Sequence, residues 1–174
     1  MVTMDVKDQV VSATRAYQEC DYINAARLFG EAASAFLAQG DQLDAAEMKN
    51  NQSVALLQAG EARASLNVLE GTAQVFSTNH DFRRQGMALG NEASALKALG
   101  RIDTAEQQYR LAVVALEKAG EDQLRASVLQ ALAGIQLRKG KLMDALLSMQ
   151  MGLSGVKHPS LKQKLLLNLL RFRV

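Results

Sequence analysis

Apolar and polar positions along this chain repeat every 40 residues, without an insertion or deletion between copies. Within each copy the apolar residues recur with the 3.6-residue spacing of an amphipathic helix, so each helix has an apolar stripe that needs a neighbour. A fixed period of this length is typical of an array in which each unit packs on the next. The large apolar columns are Phe29, Leu69, Tyr109 and Met149, and then Phe36, Phe76, Leu116 and Val156.

Small residues fill three further columns of the same repeat. Small side chains let two helix backbones approach closely where they cross. We therefore expect these columns at helix crossings, with the large apolar residues packed into the space they leave. The columns are Ala13, Ser53, Ala93 and Ala133; Ala25, Ser65, Ala105 and Ala145; and Ala32, Thr72, Ala112 and Gly152.

Turn residues divide every copy into two halves, each long enough for one helix and a tight turn. The turn positions are Cys20, Gly60, Gly100 and Gly140, alternating with Gly40, His80 and Gly120. A carboxylate that can accept from free helix amides follows most of them, as Asp21, Asp41, Glu61, Asp81 and Glu121, whereas Arg101 and Lys141 break the pattern. The spacing predicts helix pairs over 1–39, 41–79, 81–119 and 121–157, followed by a single cap helix over 160–173.

Composition agrees with one all-helical domain. The 174 residues are 48% apolar and include one proline and no tryptophan. A net charge of only +2 argues against a general nucleic-acid binder. The single Cys20 excludes an internal disulfide and favours a reducing compartment. Asp5 and Asp8 interrupt the start of the chain and no long apolar stretch follows, so we expect a cytoplasmic protein without a signal peptide or membrane span.

The third unit, NEASALKALGRIDTAEQQYRLAV, resembles a tetratricopeptide (TPR) repeat. Its small, glycine, alanine, aromatic and small positions are Ala93, Gly100, Ala105, Tyr109 and Ala112. The family's usual repeat has about 34 residues, and the longer unit here is similar to the repeats of LGN-type spindle-orientation adaptors and rapsyn. The resemblance implies a right-handed superhelix (an α-solenoid) of four helix-turn-helix repeats plus the cap helix, with a concave groove lined by first helices.

By that resemblance the groove is the candidate site for a protein or peptide partner. An asparagine amide both donates and accepts, so Asn51 and Asn91, one period apart, could hold an extended peptide backbone. Lys97 and Arg138 would favour an acidic or C-terminal carboxylate partner, and Gly90 and Gly134 would allow close approach. Alternatively, these are solvated polar residues on a helix face. The predicted groove residues are Asn50, Asn51, Val54, Asn91, Ser94, Lys97, Gln130 and Arg138.

The C-terminal segment SLKQKLLLNLLRFRV has more leucines than a cap needs. Leu166, Leu167 and Leu170 fall where complete repeats carry small or mostly polar residues. Four explanations stay open: self-association into a homodimer, a site for another protein's helix, a basic amphipathic contact with anionic lipid, and the edge of a longer array.

Catalytic chemistry has little support in the sequence. His80 and His158 occupy turn positions nearly two repeats apart, too far for an acid–base pair or a shared metal. Cys20 has an acidic residue on each side, which disfavours a reactive thiolate. We therefore expect a non-enzymatic interaction scaffold without cofactor or metal. The alternatives are an oligomerisation module acting through its terminal helices and a membrane-surface adaptor.

Overall fold

The computed structural model describes residues 5–154, which form an α-solenoid without strands in that range. Each helix packs against its neighbours along the chain. The predicted cap helix 160–173, with Leu166, Leu167 and Leu170, lies outside the described residues, as does His158. The helices are α1 (Val6–Gln18), α2 (Tyr22–Ala38), α3 (Gln42–Gln58), α4 (Ala62–Val68), α5 (Thr72–Thr78), α6 (Phe82–Ala98), α7 (Ile102–Lys118), α8 (Asp122–Arg138) and α9 (Leu142–Ser154).

The predicted turn residues all have left-handed backbone, with φ between 57° and 85°. At a representative turn Gly40 N donates to Leu37 O at 3.0 Å and Asp41 N donates to Phe36 O at 2.9 Å. This pair of bonds is the Schellman motif, which ends a helix by satisfying its last carbonyls. Cys20 and His80 adopt the same conformation with φ of 62° and 57°. The interpretation of Cys20 as a substitute for a turn glycine is therefore confirmed.

The acidic residues after the turns differ in what they do. The carboxylates of Asp21, Asp41 and Asp81 accept from the backbone N–H three residues later, at 3.4, 3.0 and 2.9 Å. Glu61 and Glu121 make no such bond. A glutamate is one methylene longer and does not fit the tight geometry of an N-cap. The capping expectation is confirmed for the aspartates and wrong for the glutamates.

The small-residue columns lie at the centre of the fold. Their alanines are completely buried, and large residues such as Phe76 and Leu116, at 0% and 1% exposure, fill the space around them. A side chain no larger than a methyl group allows helix backbones to approach closely at these positions. The burial that helix crossings require is found at Ala13, Ala25, Ala32, Ala93, Ala105, Ala112, Ala133 and Ala145, each with 0% exposure.

The second repeat departs from the one-helix-per-half expectation. Its second helix is split into α4 and α5 by Gly71, whose φ is 75°. The equivalent positions of the first and third repeats carry Glu31 and Leu111, which continue their helices. A glycine adopts left-handed backbone without the penalty that a Cβ brings, so only this repeat turns here.

Three buried hydroxyl groups also distinguish the second repeat. Ser53, Ser65 and Thr72 are 0%, 0% and 2% exposed, and their hydroxyls have no hydrogen-bond partner among the described residues. A buried polar group without a partner costs ~1–3 kcal/mol. The repeats on either side carry alanine in the same columns, so the second repeat has a desolvation cost there that these neighbours do not have.

Replacing these hydroxyl residues should stabilise the protein. We expect Ser53→Ala, Ser65→Ala and Thr72→Ala each to raise the free energy of unfolding by about 1 kcal/mol, because each removes a desolvated hydroxyl from a site that fits alanine. Urea unfolding followed by circular dichroism measures the effect. The reverse changes in the third repeat, Ala93→Ser, Ala105→Ser and Ala112→Thr, serve as matched controls and should destabilise it. Destabilisation by the alanine variants would contradict the assignment.

A buried carboxylate holds the third and fourth repeats together. The Glu106 side chain is 6% exposed and accepts from Lys139 Nζ at 2.6 Å, from Arg110 Nη2 at 2.7 Å and from Lys141 Nζ at 3.3 Å. These bonds lower the pKa of Glu106 to about 2, and the bond from Lys139 has the largest effect. They tie α7 to the turn before α9, which explains why Lys141 replaces an acidic residue there.

The Glu106 cluster should make stability depend on acidity. Because the pKa is lowered from 4.5 to about 2 in the folded state, the stabilisation is complete above the ordinary value and is lost as pH falls toward 2. We expect Glu106→Gln to unfold at lower urea concentration than the wild type at neutral pH, and the difference to shrink as the pH falls through that window. Glu117→Gln, at a 64% exposed carboxylate with Arg125 at 3.8 Å, is the control. A difference between Glu106→Gln and the wild type that keeps the same size from neutral pH down to pH 2 would rule out this role.

Candidate binding groove on the first helices

A groove with a cavity of about 300 Å³ lies among α3, α6, α7 and α8. It draws residues from three successive repeats, as a concave surface of a solenoid does. Among the described residues that line it, the polar groups are asparagine amides and hydroxyls, and none is charged. The lining consists of Asn50, Asn51, Val54, Gly86, Met87, Gly90, Asn91, Ser94, Tyr109, Leu116, Leu124, Ser127, Val128 and Ala131.

An asparagine pair crosses from α3 to α6 in this groove. Asn91 Nδ2 donates to Asn50 Oδ1 at 2.9 Å, and Asn50 is only 5% exposed. Asn51, the next residue, is half-buried and also lines the groove. The 40-residue spacing pairs Asn91 with Asn51, whereas in the structure the side chain of Asn91 contacts Asn50. The amide of Asn51 makes no hydrogen bond to any described side chain, so its donor and acceptor face the groove uncommitted.

Ser94 and Tyr109 form a second polar contact in the groove. The Ser94 hydroxyl lies 2.9 Å from Gly90 O and donates to it. Tyr109 Oη, at 2.9 Å from Ser94 Oγ, is then the donor of the second bond. Tyr109 is 2% exposed, so this contact lies at the buried floor of the groove and holds Ser94 and Tyr109 in place. Ser94 was predicted to contact a partner, but its hydrogen-bonding capacity is largely used within the fold.

Two glycines of α6 shape the groove in different ways. A Cβ on Gly86 would lie 2.5 Å from Leu116 Cγ, so glycine is needed for α6 to pack on α7. A Cβ on Gly90 would lie 3.6 Å from Val128 Cγ2, which is ordinary contact. Gly90 therefore widens the groove between α6 and α8. Gly134, predicted to do the same, does not line the cavity.

Three predicted groove residues lie elsewhere. Lys97, Gln130 and Arg138 are exposed and do not line the cavity. The described lining of this cavity therefore carries no positive charge, and a contact of Lys97 or Arg138 with a partner stays a prediction.

Sequence reasoning also missed part of the lining. Tyr109 and Leu116 come from α7, a second helix, whereas the groove was expected from first helices alone. Leu124 and Ser127 on α8 were not singled out either. The sequence did contain one sign that Tyr109 differs from its equivalents, because it is the only member of its large apolar column that carries a hydroxyl.

The two described residues weighed for catalytic chemistry, His80 and Cys20, both lie at exposed turns. Within 5–154, no group of three or more histidine, cysteine or acidic side chains is placed to hold a metal ion. His80 is exposed and packs edge-on against Phe82, with 6.1 Å between ring centroids. Cys20 is exposed and forms no disulfide within the described residues. No helix in the described part of the chain is long and apolar enough to cross a membrane.

Comparison with known proteins identifies the fold. A crystal structure described as that of a Podosopora anserina kinesin light chain with nearly identical TPR-like repeats matches with a TM-score of 0.75 and 16% identity, over 96% of this chain and 85% of that chain. A variant of that protein matches with a TM-score of 0.74 and 14% identity, over 96% and 93% of the two chains. No known protein family matches the sequence. No curated protein matches it either. The protein therefore shares the fold of TPR-like repeat proteins.

Proposed function

We propose that this protein is a non-enzymatic scaffold that binds an extended segment of a partner protein in the groove formed by α3, α6, α7 and α8. The observation that carries the proposal is the uncommitted Asn51 amide beside the Asn50–Asn91 pair, in a cavity that also has apolar side chains in its lining. Asparagine amides can pair with both the N–H and the C=O of an extended backbone. The TPR-like fold of the solved neighbours supports this role, and the 40-residue unit supports a relation to the long repeats of LGN and rapsyn.

The lining also indicates what the bound segment carries. Val54, Met87 and Val128 surround a cavity of about 300 Å³ without charge among its described residues. Such a space favours one apolar side chain, since a charged one would lose its water without a compensating partner. Lys97 and Arg138 lie outside the cavity, where they could meet acidic residues flanking the apolar one.

The asparagine amides provide the test of this proposal. Peptides selected from a random display library on the wild-type protein should bind less tightly to Asn51→Ala, by ~1–3 kcal/mol for a lost hydrogen bond. Calorimetry measures the affinity of each synthetic peptide. Asn51 makes no side-chain hydrogen bond within residues 5–154, so the melting temperature should not change. The double variant with Asn91→Ala should lose binding altogether, and its melting temperature should fall because Asn50 loses its partner.

Two further variants test whether the peptides bind in this groove. Gly90→Val fills the groove beside Val128 and should block binding, whereas Gln130→Ala, exposed and outside the cavity, should leave it unchanged. Peptides that bind equally well to Asn51→Ala and Gly90→Val would move the binding site away from this groove.

A second candidate function, self-assembly through the terminal repeat, is favoured by the outer face of α9. Met143, Leu147 and Met151 are 68%, 54% and 46% exposed and lie four residues apart, on one face of the helix. One repeat earlier the same positions are Asp103, Gln107 and Leu111, which stay exposed although α8 and α9 follow. The described repeats therefore leave this stripe uncovered, and a second copy of the chain is our proposed occupant.

Light scattering tests this second candidate. We expect a dimer that Met143→Glu combined with Leu147→Glu converts to a monomer at unchanged helicity, since each leucine-sized side chain buried contributes ~1.5–3 kcal/mol. Val11→Glu, at a 60% exposed apolar residue of α1, should not change the association. A wild-type monomer at all concentrations would exclude self-assembly, and sedimentation of that monomer with anionic vesicles would instead support the membrane-surface alternative. Leu167→Glu with Leu170→Glu extends the same measurement to the segment outside the described residues.

A further inference from the structure

A second cavity, of about 470 Å³, lies at the break between α4 and α5. Gly71 forms the break with its left-handed turn, and a Cβ placed on it would meet no atom within 4 Å. The cavity continues to α6 and to the start of α7, and it shares no lining residue with the groove. It is lined by Leu66, Asn67, Leu69, Glu70, Gly71, Ala73, Gln74, Glu92, Leu96, Arg101 and Thr104.

Glu92 is the unusual group of this cavity. It is half-buried, and its hydrogen bond within the described residues comes from Gln108 Nε2 at 3.2 Å. No lysine or arginine in the described range lies within the 4.0 Å of its carboxylate that would make an ion pair. Burial raises the pKa of Glu92, and the positive charge of Arg101 only partly opposes this. A carboxylate in this position is short of a positive partner.

The equivalent positions of the neighbouring repeats show that packing does not require an acid here. They carry Gln52 and Leu132. The cleft beside Gln52 also contains charges, but there Arg27 and Glu31 pair with each other at 2.6 Å. Of these two clefts, the cavity at the α4–α5 break is the one that combines a half-buried acid with no ion pair of its own among the described residues.

The rest of the lining defines what would fit beside this carboxylate. Leu66, Leu69, Ala73 and Leu96 give the cavity an apolar wall, and the exposed Glu70 adds a second carboxylate at the rim. An apolar wall next to an acid suits a group with an alkyl stem and a cationic head, because the stem loses contact with water while the charge gains a partner.

We propose that the cavity at the α4–α5 break binds an alkylguanidinium or alkylammonium group, with Glu92 pairing with the cation and the leucines of α4 and α6 covering the stem. An arginine or lysine side chain of a partner protein and a free organic amine share this chemistry. The site is independent of the proposed groove, and its failure would leave the groove proposal unaffected.

Binding of butylguanidinium, followed by NMR of the full chain, tests the site. We expect the amides of α4, α5 and α6 to shift on its addition, and butylurea, its uncharged isostere, to produce no such shifts. Glu92→Gln should weaken binding at least about tenfold, which corresponds to ~1.4 kcal/mol. Glu61→Gln removes the same charge from an exposed position that does not line the cavity, and should have no effect. Arg101→Gln should tighten binding, because it removes a like charge from the rim.

Two measurements separate a binding role of Glu92 from a merely structural one. Butylguanidinium should lower the pKa of Glu92 toward the ordinary value, since the cation binds only the ionised form. Without ligand, Glu92→Gln should raise the melting temperature at neutral pH, because a raised carboxyl pKa means that ionisation destabilises the fold as pH rises. The gain should vanish below the ordinary glutamate pKa, where both states are protonated.

The outcomes are decisive in both directions. The absence of amide shifts in both the wild type and Arg101→Gln would overturn the proposal, and so would equal binding by Glu92→Gln. The peptide acetyl-Leu-Arg-Leu-amide identifies the source of the cation. Tighter binding of this peptide than of butylguanidinium supports the proposal with a protein side chain as ligand, and the reverse order supports it with a free amine.

Discussion

The close approach of helix backbones at small residues is the constraint on which the rest of this structure depends. Ala105 and Ala133, for example, are completely buried, and a side chain no larger than a methyl group allows neighbouring helix backbones to come close. Such contacts can recur along the array only if each helix presents the same face to its neighbour after every turn. The left-handed turn residues ensure this, because each Schellman turn ends one helix and starts the next with the same geometry. A single period therefore sets turns, crossings and groove together.

The second repeat shows what happens when that constraint is relaxed. It carries hydroxyl groups in all three small columns, at Ser53, Ser65 and Thr72, and a turn at Gly71 in the middle of its second helix. Hydroxyls of this size still allow the helices to approach, but they are desolvated without a partner. In a solenoid, stability is close to a sum of local terms, so the rest of the array does not have to weaken with it. The same interruption opens the cavity that contains Glu92.

Features that recur with the period could be predicted from the sequence, and features made by pairs of different residues could not. The turns and alanine columns repeat, so comparing the copies identified them. The groove was predicted in part: Asn50, Asn51, Val54, Asn91 and Ser94 line it, but Lys97, Gln130 and Arg138 do not. Which asparagine contacts Asn91, and whether Tyr109 reaches the groove, depends on how far neighbouring helices slide past each other. The cluster around Glu106 joins residues more than 30 positions apart, a pairing that no single helix displays. The break at Gly71 could not be predicted from the glycine alone, because an internal glycine in a helical pattern also fits close packing, as Gly86 shows.

The two cavities share one wall, and this links the proposed sites physically. Asn91 lines the neutral groove, and Glu92, the next residue on α6, lines the acidic cavity at the α4–α5 break. Consecutive residues of a helix point to different sides, so α6 separates the two spaces without an intervening layer. Packing of Gly86 against Leu116 holds α6 close to α7 on the groove side. One helix therefore supplies an uncharged amide to the first space and a carboxylate to the second, because its successive side chains face different neighbours.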